Sequence, residues 1–107
     1  MRKACQGEHM TLFEGHFKRT FISINDLVRS FAWGIERFDE MKGQVWNVGD
    51  ETLNHTKLEI CETIKRHIPD WTFENNTTLA HDQDGRNYFV DYTKIRELGY
   101  TATESLD

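Results

Sequence analysis

The apolar runs that could form β-strands in this chain are short, and they alternate with helical patterns along its whole length. A typical strand has about 5–6 residues, and few of these runs reach that length. The runs are Met10–Phe13, Thr20–Ser23, Gln44–Val48, Trp71–Glu74 and Asn87–Val90. The pattern predicts a small α/β fold of α+β character, in which short strands alternate with two main helices and a short C-terminal helix. Strands this short are unusual for an independent α/β domain and favour a lobe that packs on a larger neighbour.

The first main helix is predicted from apolar side chains that recur every four residues. The repeating residues are Leu27, Phe31 and Ile35. Asn25 or Asp26 is expected to be the N-cap, because a short polar side chain can accept hydrogen bonds from the first turn. The helix should end near Phe38. Gly34 costs a helix about 1 kcal/mol relative to alanine, which suggests close packing on a neighbouring element.

The second main helix is predicted from a capping box, with Thr56 as the N-cap and Glu59 three residues later. The polar stretch Asn75–Gly85 is expected to be a loop. A short helix, Tyr92–Leu98, should follow with Asp91 as its cap.

The composition restricts the kinds of protein this can be. The chain has 107 residues, which predicts one domain over residues 1–107. Its net charge of -5 argues against sequence-independent nucleic-acid binding, which requires a basic face. No apolar run approaches the roughly 20 residues of a membrane span, and the N-terminus lacks the apolar stretch of a signal peptide. We therefore expect a cytoplasmic protein with neither nucleic acid nor membrane as a partner.

The cysteines and histidines do not form a metal-binding pattern. Cys5 and Cys61 lie far apart and form no CxxC pair, so two separate buried or half-buried thiols are expected. The histidines are scattered, and none clusters with a cysteine. We expect no metal site.

Several stretches carry recognisable motifs in a fixed order. They are Leu12–Gly15 with Lys18–Asp26, then Gly43–Gly49, then Lys57–Ile60, and finally Arg86–Ile95 with Glu97–Tyr100. The segment from Arg19 resembles an R-x-[FY]-I-x-V-x-D motif, and Gly43–Gly49 is similar to G-x-V-Y-N-V-G. The last stretch is similar to R-x-Y-x-x-D-x-x-K-x-x-x-x-L-G-[WYF]. In this order they resemble the C-terminal substrate-binding lobe of the extended short-chain dehydrogenase/reductase family.

That resemblance implies part of an NAD-dependent epimerase or dehydratase that acts on a UDP-, dTDP- or GDP-linked nucleotide sugar. NAD(P) is implied for a full-length relative only. The family's glycine fingerprint is missing, because no two glycines lie closer than six residues apart. No tyrosine is followed four residues later by a lysine, as in the family's catalytic pair. We therefore expect no catalytic and no cofactor-binding residues in this chain, no Rossmann cofactor domain, and no activity from the chain alone.

The resemblance also implies three substrate-binding residues. Arg19 and Arg86 correspond to positions that can contact the nucleotide diphosphate, since a guanidinium offers paired donors to a phosphate. Phe13 ends a strand that would lie along the nucleotide base. Each has a purely structural alternative, namely a surface charge for the two arginines and core packing for Phe13.

Three further polar residues are expected to have structural roles. The side chain of Asn47 should bond local backbone in its turn. Asp26 and Asp91 should cap helices.

Two alternatives to an enzyme fragment stay open. The chain could be a stand-alone module that binds a nucleotide or sugar phosphate. It could also be an interaction or structural protein that kept the fold and lost the site. In a lobe without its cofactor domain, exposed apolar surface should find a partner, so we also expect association with that domain or self-association.

Overall fold

The computed structural model describes residues 1–76 and 85–107 of the chain. The helices are α1 (Arg2–Cys5), α2 (Ile24–Glu36), α3 (Phe38–Met41), α4 (Lys57–His67) and α5 (Thr93–Glu97). A single 3-10 turn within these ranges covers Glu51–Leu53. The strands are β1 (Met10–Phe13), β2 (Lys18–Thr20), β3 (Asn54–Thr56) and β4 (Phe73–Asn76). None of the described helices has the length and apolar character needed to cross a membrane.

The strands form two small sheets. β1 and β4 pair in parallel, with Met10 opposite Phe73 and Phe13 opposite Asn76. A parallel pair needs a long crossover connection, and the chain between these two strands includes α4. β2 and β3 form the second sheet. The prediction of a small mixed fold with α+β character is confirmed.

The described chain divides into two compact units, each with its own core. The first unit comprises residues 1–19, the described part of 55–88, and Leu106. The second comprises residues 20–54, residues 89–105, and Asp107. The single domain over residues 1–107 stays a prediction.

The core of the first unit is built around Trp71. Its buried residues are Ala4, Leu12, Cys61 and Trp71. The Trp71 ring stacks on Phe73 with centroids 5.3 Å apart, and its Nε1 donates to the Glu8 carbonyl at 2.8 Å. A buried indole is stable when its N–H has such a partner, so this tryptophan can lie fully inside the core.

The capping box at the start of α4 is confirmed. Thr56 Oγ1 accepts from the Glu59 amide at 3.1 Å, and Glu59 Oε2 accepts from the Thr56 amide at 2.8 Å. The N-terminus of α4 is thereby satisfied by residues within one turn of it.

The core of the second unit contains Tyr92, Ile95 and Tyr100. The Trp33 ring packs edge-on against Tyr100, with centroids 5.7 Å apart. Gly49 passes close to Tyr92, because a Cβ at that position would lie 2.6 Å from the ring. Only glycine permits this approach. The positive φ of 157° at Gly49 also favours glycine, because residues with a side chain rarely adopt it.

The prediction of a strand over Gln44–Val48 is wrong. That segment is not a strand, although the side chains from Val45 to Val48 alternate between exposed and half-buried. Trp46 and Val48 pack against the second core, whereas Val45 is 86% exposed. Trp46 Nε1 donates to the Met41 carbonyl at 3.0 Å. The segment thus packs one side inward, and within residues 1–76 and 85–107 it belongs to neither sheet.

Two other strands are displaced from their predicted positions, and a third is not formed. The run predicted over Thr20–Ser23 is a strand only at Lys18–Thr20, and that predicted over Trp71–Glu74 runs from Phe73 to Asn76. Asn87–Val90 is not assigned as a strand. Of the loop predicted over Asn75–Gly85, the first two residues belong to β4, and residues 77–84 lie outside the described part of the chain.

The first main helix begins earlier than predicted, and its cap is a different residue. The N-cap of α2 is Ser23, whose Oγ accepts from the Asp26 amide at 3.0 Å. The prediction of Asn25 or Asp26 as N-cap is therefore wrong. A Cβ at Gly34 would meet nothing within 4 Å, so the described residues do not provide the close packing expected there.

Candidate functional site

Arg19 and Arg86 converge on the ring of Tyr88. The Arg19 Cζ lies 5.0 Å from the ring centroid, and the Arg86 Cζ lies 5.7 Å from it. Both distances fall within the roughly 6 Å range of a cation–π contact. We call these three residues the arginine–tyrosine site.

Backbone contacts between β2 and the segment that carries Arg86 position this site. Lys18 donates its amide to Asn87 Oδ1 at 2.6 Å, and the Tyr88 amide donates to the Lys18 carbonyl at 3.2 Å. Arg19 Nη1 also donates to the carbonyl oxygens of Lys18 and Arg86. The two arginines are 67 positions apart in sequence, yet their chain segments run side by side.

The two cation–π contacts set an upper limit on the separation of the guanidiniums. Their carbon atoms can be no further apart than the two centroid distances added together. That limit is close to the roughly 10 Å over which two arginines can contact adjoining phosphates directly. Arg19 is half-buried and Arg86 is exposed, so the arginine–tyrosine site lies at the surface.

The chemistry of these residues favours phosphate over a neutral ligand. A guanidinium keeps its charge at any physiological pH and presents its donors in one plane. A phosphate accepts two such donors from the same arginine in parallel. Lys18, next to Arg19 in sequence, adds a third positive charge to this segment.

Phe13, the third predicted binding residue, is placed by other contacts. It ends β1 with 37% of its surface exposed, and its carbonyl oxygen lies 3.5 Å from Lys57 Nζ. Its carbonyl oxygen thus contacts the start of α4, and its partner across the β1–β4 pair is Asn76. The binding roles of Arg19, Arg86 and Phe13 stay predictions.

Asp26 has a different role from the helix cap that was expected. Its side chain is completely buried, and it accepts from the amides of Thr103 and Glu104, each at 3.0 Å. Thr103 Oγ1 donates to it at 2.8 Å, and Arg29 Nη2 donates at 3.0 Å. Asp26 thus attaches the C-terminal segment to α2.

This environment changes the acidity of the Asp26 carboxyl. Burial alone raises its pKa, but the hydrogen bonds from Thr103, Glu104 and Arg29 outweigh burial. The pKa of Asp26 therefore lies well below its ordinary value, and the group is a carboxylate at neutral pH. Tyr100 adds to the cluster by donating its hydroxyl to the Asp26 backbone carbonyl at 2.7 Å.

The other two polar predictions have mixed outcomes. The prediction of Asp91 as the helix cap is wrong, because the N-cap of α5 is Tyr92 and it makes no side-chain cap bond. Asp91 lies one residue earlier, and its Oδ1 accepts from the Thr93 amide at 2.7 Å. Asn47 donates through Nδ2 to the Asp91 carbonyl at 3.3 Å. It therefore bonds backbone as predicted, but backbone 44 positions away instead of in its own turn.

The shared contact with Tyr88 was missed by sequence reasoning. Tyr88 belongs to the same motif as Arg86 and could have been considered for that reason, but its contact with Arg19 depends on tertiary pairing. Within residues 1–76 and 85–107, no group of three or more acidic, histidine or cysteine side chains is arranged to hold a metal ion. No family model matches the chain. The family resemblance therefore depends on the motifs alone.

Proposed function

We propose that this chain is the nucleotide-sugar-binding portion of an NAD-dependent epimerase or dehydratase, and that it holds the diphosphate at the arginine–tyrosine site. The observation that carries the proposal is the convergence of Arg19 and Arg86 on Tyr88. These are the arginines to which the motif resemblance assigns the diphosphate. Their convergence supports the assignment, since the two motifs lie at opposite ends of the sequence.

The proposal concerns binding and not catalysis. The chain has neither the glycine fingerprint nor the Tyr-x-x-x-Lys pair, so the nicotinamide and the proton-transferring residues would belong to a separate domain. In this proposal the positive charges of Lys18, Arg19 and Arg86 neutralise the diphosphate. Phe13 is the residue proposed to lie along the base.

The test is calorimetric titration of the chain with UDP-glucose and dTDP-glucose, and with uridine as a ligand that lacks the diphosphate. We expect binding of at least one nucleotide sugar and none of uridine. Arg19→Ala and Arg86→Ala should each weaken binding by on the order of 10-fold or more, since each removes charged hydrogen bonds. Arg66→Ala is the matched control, because Arg66 is exposed near the end of α4 and its removal changes the net charge equally.

Two results would contradict the proposal. The first is the absence of any heat change at millimolar nucleotide sugar. The second is binding that Arg19→Ala and Arg86→Ala leave at the parent's affinity while circular dichroism shows all variants folded.

An interaction protein that has no ligand is the second candidate, and one observation favours it. Large apolar side chains are exposed along α2 and at the start of α3. Such surface is uncommon on a monomer and marks a partner-binding face.

A further inference from the structure

Large apolar side chains are exposed along α2 and at the first residue of α3. They are Ile24, Val28, Phe31, Ile35 and Phe38, which are 61–78% exposed. We call this set the α2 stripe. The four members on α2 are spaced by four, three and four residues, which is the heptad spacing that places side chains along a single seam. Phe38 follows as the first residue of α3.

The stripe is separate from the surface that α2 uses inside its own unit. Trp33 packs on the second core and Asp26 is buried in the cluster with Thr103. One side of α2 therefore packs inside the second unit, and the side that carries the α2 stripe faces solvent. Burial of the stripe would remove the larger part of its apolar surface from water.

Gly34 adds an independent indication. It lies next to Ile35, and a Cβ there would contact nothing within 4 Å in the described chain. A glycine inside a helix costs about 1 kcal/mol relative to alanine, and no packing by the described residues accounts for that cost. Ala32 and Gly34 are both small and lie on opposite flanks of the α2 stripe, since positions two apart on a helix do not share a face.

We propose that the α2 stripe is the contact face of a homodimer, in which it packs against the same stripe of a second copy of this chain. A two-fold interface requires a surface that is complementary to itself, and a heptad seam with small residues beside it meets this requirement. The exposed parts of five large apolar side chains add up to on the order of 600–700 Å². That is close to the roughly 800 Å² per partner of a standard stable interface.

The proposal does not depend on nucleotide-sugar binding. It uses residues of the second unit alone, whereas the arginine–tyrosine site lies in the first. Failure of either proposal can therefore be recognised separately.

The test is sedimentation equilibrium of the full chain from about 1 µM to about 1 mM. We expect a monomer–dimer equilibrium in the parent. Phe31→Glu should raise the dissociation constant on the order of 100-fold, since it places a charge at the middle of the seam. Val45→Glu is the matched control, because Val45 is 86% exposed and lies outside the stripe, and it should leave the dissociation constant unchanged.

Circular dichroism and thermal melting of dilute samples separate folding from association. Phe31 is largely exposed, so Phe31→Glu should melt like the parent monomer. A parent that stays monomeric over the whole range would overturn the proposal and leave the stripe to another occupant, such as a cofactor domain. A dimer that survives Phe31→Glu, or a mixture of larger aggregates in place of a dimer, would overturn it equally.

Discussion

At the scale of single residues, the buried carboxylate of Asp26 is the most constrained group described. It accepts hydrogen bonds from backbone and side-chain donors 77 and 78 positions away. A buried charge is tolerated only when it is paired and hydrogen-bonded, and Asp26 has Arg29 as its ionic partner. The stability of the second unit should therefore depend on this one side chain.

Replacing Asp26 with asparagine should destabilise the protein by about 2–4 kcal/mol at neutral pH. Asparagine has nearly the same shape, but its amide group would place donors against the donor amides of Thr103 and Glu104. Urea unfolding followed by fluorescence measures the loss. Asp39→Asn is the matched control, because the Asp39 side chain is 92% exposed, and it should change stability little.

The same variant has a pH signature. Because the folded-state pKa of Asp26 lies below its ordinary value, the unfolded chain binds more protons in acid. Its stabilisation is complete above the ordinary pKa of about 4 and decreases as pH falls below it. The gap in stability between the parent and Asp26→Asn should accordingly narrow toward acid. A gap that stays constant from neutral pH into acid would show that ionisation of Asp26 is not its source.

At the scale of elements, glycines in a loop and in a helix have opposite roles. Gly49 lies in a loop where its backbone almost touches the ring of Tyr92 and has a positive φ. Gly34 lies inside α2, where a methyl group would enter open space. Replacement of glycine by alanine should therefore lower the stability at Gly49 and raise it at Gly34.

Gly49→Ala should destabilise the protein by about 3 kcal/mol or more, because the new methyl group cannot avoid Tyr92 and the φ is strained for alanine. Gly34→Ala should stabilise the dilute chain by up to about 1 kcal/mol, because alanine favours the helix. Thermal melting at concentrations too low for association measures both. If both variants change the melting temperature in the same direction, the environments of these glycines are not as described.

At the scale of the whole molecule, the two cysteines differ in access. Cys5 is exposed and Cys61 is buried in the first core, and both are free thiols. The expectation of two buried or half-buried thiols is thus wrong for Cys5. Burial also raises the pKa of the Cys61 thiol, which lowers its thiolate fraction and hence its reactivity.

A thiol reagent such as Ellman's reagent should therefore react in two phases. Cys5 should react fast in the native protein, whereas Cys61 should react only as fast as the first core opens. Cys5→Ser should remove the fast phase, and denaturant should make both thiols of the parent react fast. Two fast thiols in the native protein would contradict the burial of Cys61.

The features that were predictable depend on neighbours within a turn or two. Thr56 and Glu59 cap α4 through bonds between residues three positions apart. β1 was predicted at its observed position from a compact apolar run. Local hydrogen-bonding chemistry and apolar spacing are sufficient for such elements, because their partners are close in sequence.

Tertiary contacts decided the rest, because the partners involved are distant in sequence. Gln44–Val48 is not a strand, and the two pairs of strands in the described residues, β1 with β4 and β2 with β3, do not include it. From the sequence, Asp26 resembles a helix cap. In the structure its carboxylate accepts hydrogen bonds from Thr103 and Glu104, near the other end of the sequence. Arg19 and Arg86 could each be identified as a phosphate-binding arginine from its motif. Their convergence on the Tyr88 ring required β2 and the segment after residue 85 to lie side by side, since hydrogen bonds across 67–70 positions leave no periodic trace in a sequence.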